Sequence, residues 1–154
     1  MEFKWTPELS VGHAKLDQEH KEIQSRINEL NEAICSNRTA DLLFELFDSL
    51  KRDVAGHLHA ERLLMHEHPN LIPTAHEQQY LELLRICEVL KGTYELKGPS
   101  SAVVVDLQRA LGQWLIRHVH LVDMEFADYL HAQRVRESTR VPGLVGADAR
   151  SVSN

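Results

Sequence analysis

Four stretches of this 154-residue chain place an apolar residue every three or four positions, and each stretch breaks its apolar stripe with imidazole, carboxylate or phenol groups. The first stripe is His20, Ile23, Ile27, Leu30 and Ile34; the second is Leu43, Leu46, Leu50, Val54, His57, Glu61 and Leu64 or Met65. The third is His76, Tyr80, Leu83, Cys87, Leu90 and Tyr94, and the fourth is Val104, Leu107, Leu111, Trp114, His118, Val122 and Phe126, with Asp123 beside it. This period is helical, and the alternation that strands need is absent, so the chain is expected to be all-α. Four amphipathic helices joined by short loops bury their stripes as an antiparallel up-down-up-down four-helix bundle.

The punctuation agrees with that division. Asn37 and Arg38 end the first stripe, and Thr39 can cap the second helix. Pro69, Asn70 and Pro73 stop the second, Thr74 and Glu77 have capping-box spacing, and Lys97-Gly98-Pro99 precedes a Ser100 cap for the fourth. Before Asp17 the periodicity is lost, and Trp5, Leu9 and Val11 are expected to form an ordered N-terminal arm over one end of the bundle. Beyond Tyr129 the rhythm decays, so residues 1–131 are read as one domain and residues 132–154 as a partly disordered C-terminal extension, with Arg140 to Asn154 a mobile tail.

Seventeen basic against twenty-three acidic residues give a formal charge of −6, which recruits neither nucleic acid nor an anionic bilayer. Cys35 and Cys87 sit within helical patterns and are expected to be buried and reduced, pointing to the cytoplasm. No stretch has the apolar length of a signal peptide or a membrane span.

Burying this many titratable groups is expensive unless they are paired or bind a cation. His57 and Glu61 project from one helical face a turn apart, and His76 and Tyr80 repeat that relation. His118 and Asp123 are five residues apart, a rotation of about 140° on a regular α-helix. His20 stands alone in the first helix. Together His20, His57, Glu61, His76, Tyr80, His118 and Asp123 make a mixed N/O ligand set for a metal pair, suited to iron, manganese or zinc. His59 and His120 lie two residues from inward histidines and are expected in solvent; His66 and His68 belong to a polar helix end, and His13 and His131 have no evident partner.

These segments resemble the bacterial hemerythrins over about Trp5 to Leu130: Ser10-Val11-Gly12 with Leu16-Asp17-Gln18-Glu19-His20, then His57-Leu58-His59-Ala60-Glu61 with Met65, then Trp114-Leu115-Ile116-Arg117-His118 through Asp123. The resemblance implies two iron ions with an oxo or hydroxo bridge, His20 and His57 on one, His76 and His118 on the other, and Glu61 and Asp123 bridging. It implies dioxygen or a related small oxidant as the ligand. The family's third segment is HxxxH, whereas here it reads His76-Glu77-Gln78-Gln79-Tyr80.

A phenolate at Tyr80 would add negative charge and favour ferric iron, while a protonated phenol would leave a coordination position open. An oxygen or redox sensor acting through protein contacts, or a diiron oxidase or peroxidase, is therefore the alternative to oxygen binding, and iron storage is a blander one. A monomer or weak homo-oligomer is expected, with no membrane and no nucleic acid among its partners.

Overall fold

The computed structural model describes residues 3–66 and 74–139. A short 3-10 turn, Pro7–Leu9, leads into five α-helices: α1 (Ala14–Cys35), α2 (Ala40–His66), α3 (Thr74–Lys97), α4 (Ser101–His118) and α5 (Met124–Thr139). Between α4 and α5 the chain makes one π-helical segment, Val119–Asp123. No strand occurs among the described residues.

Local chemistry sets the ends. His13 caps α1, its Nδ1 accepting from Leu16 N at 3.4 Å, a partner that sequence reading did not supply. The helix closes with Asn37 at φ 51°, Asn37 N donating to Ile34 O and Arg38 N to Ala33 O, which together form a Schellman motif with asparagine in the left-handed position usually held by glycine. Thr39 Oγ1 accepts from Leu42 N at 3.4 Å before α2, and Ser100 Oγ accepts from Val103 N before α4. Gly98, at φ 65°, ends α3 by donating to Tyr94 O at 2.7 Å. The Pro69, Asn70 and Pro73 break, the Thr74 side of the capping box, and the expected tail Arg140 to Asn154 lie outside the described residues and side chains.

The helices pack as a bundle in which α1 meets α2 and α4, and α3 meets α2 and α4. Leu30, Leu50, Leu83, Leu107 and Leu111 are fully buried at its centre, each stabilising the fold by about 1.5–3 kcal/mol. Leu16, Met65 and Phe126 make a second, smaller apolar cluster. They follow or precede His20, Glu61 and Asp123 by three or four residues, so the polar groups lie between two apolar layers.

Several expectations need correction. The fourth helix is not continuous; the π-helical segment divides it. Phe47 and Val103 take buried positions expected for Leu46 and Val104, which are half-buried, and of Leu64 and Met65 it is Met65 that faces inward. Cys35 is exposed, while Cys87 is buried; as the residue after Ile34, Cys35 is turned about 100° from the inward stripe.

Candidate metal centre

His20 comes from α1, His57 and Glu61 from α2, His76 from α3, His118 from the last turn of α4, and Asp123 from the end of the π-helical segment; none is more than 6 % exposed. Ligand-type atoms of His20, His57, Glu61, His118 and Asp123 all lie within 4.8 Å of one another. His57 Nε2 is 3.1 Å from both His20 Nε2 and His118 Nε2. Asp123 Oδ2 lies 2.8 Å from His20 Nε2 and 3.2 Å from His118 Nε2, whereas Oδ1 faces His76 Nε2 at 3.6 Å. Glu61 divides likewise, Oε1 at 3.5 Å from His57 Nε2 and Oε2 at 3.2 Å from His76 Nε2.

The π-helical segment is what makes Asp123 a member. On a regular helix a five-residue offset turns the two side chains well apart, but a π turn repeats near that interval and returns Asp123 toward His118. Phe126 then closes the apolar layer beyond.

This arrangement fits a bound cation and is poorly satisfied by protein groups alone. Both Glu61 oxygens, both Asp123 oxygens, His76 Nδ1 and Nε2, and the Nδ1 atoms of His20 and His118 are buried without a hydrogen-bond partner. Such a group costs about 1–3 kcal/mol when left unpaired. The ion-pair partners of Glu61 and Asp123 among the described residues are all imidazoles. Nitrogens about 3 Å apart have the separation of neighbouring ligands about 2.1 Å from a shared centre. Imidazole with carboxylate suits iron, manganese or zinc.

The electrostatics show the same strain. Burial pushes His57 down, but Asp123, Glu19 and Glu61 outweigh it and raise it to about 10; burial opposed by Asp123 and Glu61 leaves His76 raised to about 9. Burial lowers His118 to about 3 and raises Glu61 to about 7, the latter against the pull of His76. Burial would raise Asp123 too, yet the imidazoles of His118, His20, His57 and His76 hold it well below the usual carboxylate range.

Aromatic groups brace the rings. Trp114 lies parallel to His118, centroids 5.3 Å apart, and its Nε1 donates to Gln79 O at 2.9 Å. Trp5 stacks on His20 at 6.4 Å. Phe3 N donates to Asn28 Oδ1, while Gln24 Nε2 and Asn28 Nδ2 donate to Phe3 O. Glu19 Oε2 accepts from His57 Nδ1 at 2.9 Å. Sequence reading missed Glu19, although its place beside His20 was visible.

Tyr80 lies one turn beyond His76, half-buried against the apolar core. It lines a groove of about 460 Å³ between α2 and α3 with Leu58, His59, Arg62 and Glu77. The seven expected site residues thus divide into six that converge in the interior and one at a groove edge. His59, His66, His120 and His131 are exposed; His68 lies outside the described residues.

Comparison with known proteins gives two findings. The family model described as "Hemerythrin HHE cation binding domain" matches residues 11–130. A bacteriohemerythrin from Stenotrophomonas maltophilia (strain R551-3) is 27 % identical over 130 residues, covering 83 % of this chain and 81 % of that protein.

Proposed function

The chain belongs to the hemerythrin HHE cation-binding domain family, and from that premise we propose that it is a non-haem diiron protein that binds dioxygen or a related small oxidant. The observation that carries this reading is the division of Glu61, which presents Oε1 to His57 and Oε2 to His76 and His118, as a bridging ligand of a metal pair would; Asp123 reaches both sides as well, with Oδ2 against His20 and His118 and Oδ1 facing His76. By the family resemblance, His20 and His57 would hold one ion and His76 and His118 the other. Iron bound there would supply the electrons that a small oxidant takes up.

The remaining residues shape that chemistry. Ile23, Ile27 and Trp114, all buried, exclude bulk water from one side, and Leu16, Met65 and Phe126 from the other. Tyr80 stands where the family's motif has histidine. As a phenolate it would add charge that favours ferric iron, so the redox balance would differ from that of an all-histidine set, and this makes an oxidase or peroxidase the second reading. Sensing through protein contacts is the other class that turnover measurements would separate.

The bundle is read as up-down-up-down and antiparallel, supported by Arg26 pairing with Asp53, Lys91 with Asp48 and Arg117 with Glu82. Residues 1–131 form the metal-binding domain with its N-terminal arm, and 132–154 an extension. Cysteines without disulfides support a cytoplasmic setting, and among the described residues no helix is long and apolar enough to cross a membrane.

The test is anaerobic reduction of metal-quantified protein followed by oxygen titration, monitored by visible absorption. Two iron ions per chain and a spectrum that changes stoichiometrically with oxygen are expected. One tightly bound ion per chain, or an oxidised spectrum indifferent to reduction, would overturn the proposal.

A further inference from the structure

Four imidazoles converge in the interior, but their outward nitrogens are not equivalent. His20, His76 and His118 each leave Nδ1 without a hydrogen-bond partner. His57 Nδ1, in contrast, meets Glu19 Oε2 at 2.9 Å. Because a carboxylate only accepts, Nδ1 carries a proton toward Glu19, which leaves Nε2 as the nitrogen that faces the cluster and can ligate.

Glu19 itself is outside the cluster. It neighbours His20 on α1 and is therefore turned about 100° from it. Its side chain is 22 % exposed, with Lys15 Nζ at 3.9 Å from Oε1. It lines an outward groove of about 420 Å³ with Lys15, Arg52, Gly56 and His57. A Cβ added at Gly56, on the α2 wall of this groove, would meet nothing within 4 Å.

We infer that Glu19 is a positioning residue for the metal centre: it fixes the ring orientation and tautomer of His57 and makes this imidazole a more electron-rich donor than the other three. The inference rests on the diiron reading above. A hydrogen-bonded carboxylate behind a ligating histidine raises ligand basicity, and removing such a partner typically weakens metal binding about 10–100-fold. A richer donor also stabilises the more highly charged metal, so losing Glu19 moves the reduction potential in the positive direction.

Full-length protein is compared with Glu19→Gln and Glu19→Ala, each loaded with iron. Glu19→Ala is expected to bind iron about 10–100-fold more weakly, with a more positive midpoint potential. Glu19→Gln retains an acceptor oxygen without the charge, so it should keep most of the affinity while sharing the positive shift. In diamagnetic zinc-loaded samples, the His57 Nδ1 proton should resist solvent exchange in the parent and in Glu19→Gln, and exchange rapidly in Glu19→Ala. Wild-type protein that fills with metal while all three proteins share one affinity, potential and exchange rate would overturn the role of Glu19 alone. Protein that takes up neither iron nor zinc would overturn the diiron reading and this inference together.

Discussion

The same helices carry two interiors of opposite character. Around Leu30, Leu50 and Leu107 the core is apolar and fully buried, and it needs nothing from outside the chain. A few turns away, His20, His57, Glu61, His118 and Asp123 are buried as deeply, with eight polar atoms of His20, Glu61, His76, His118 and Asp123 left without a hydrogen-bond partner. The apolar layer supplies fold stability, whereas the polar layer draws on it and is repaid only when a cation is bound. A bundle of this kind can therefore hold a site that would be unfavourable by itself.

The sharpest way to break that contrast is to remove both buried carboxylates. Glu61→Ala with Asp123→Ala should abolish metal uptake, read as iron per chain after desalting, while circular dichroism still reports a helical protein. Retention of two ions would show that the carboxylates are structural. At the other layer, Leu50→Ala should lower stability by about 2–5 kcal/mol through cavity formation, measured as a fall in urea midpoint, and leave the visible spectrum of the loaded protein unchanged.

Metal-free protein should expose the cost of the polar layer as a pH dependence. His57 and His76 are raised to about 10 and about 9, so their contribution is complete below the unfolded value near 6.5 and is lost as pH rises through 9 to 10. Glu61, raised to about 7, acts in the same direction, its contribution fading as pH rises from about 4.5. His118 and Asp123 are lowered, and their contributions are lost toward acid. Thermal unfolding of the metal-free chain should therefore move to lower temperature between pH 6.5 and 10, and bound metal should flatten that trend.

Tyr80 packs half-buried against the apolar interior at the edge of the groove between α2 and α3. Tyr80→Phe should change stability by less than about 1 kcal/mol, because the half-buried ring keeps its packing, but should remove an intense visible band if the phenolate binds ferric iron. Oxidised protein lacking such a band would show that the hydroxyl stays out of the coordination sphere. The smallest effect belongs to the exposed Arg62–Glu77 pair, 3.2 Å apart: Arg62→Ala should shift the urea midpoint by the equivalent of less than about 1 kcal/mol.

Much of this was legible in the amino-acid order. Helical periodicity named the buried positions of α1 and α3 closely, and the His57 to Glu61 interval placed two polar groups on one face, because both follow from a rotation of about 100° per residue. It failed where neighbouring apolar residues compete for one inward position. Leu46 and Phe47, like Val104 and Val103, are separated by a single step, and packing against another helix selects between them.

The chain by itself determined helices throughout the described residues and six of the seven groups expected to meet inside, since those depend on local geometry repeated along each helix. Tertiary structure alone decided that Val119–Asp123 widens into a π turn bringing Asp123 beside His118, that Glu19 reaches His57, and that Trp5 covers His20. Those pairings depend on how separate helices and the arm are set against one another, or on a local departure from 3.6 residues per turn, and regular periodicity encodes neither.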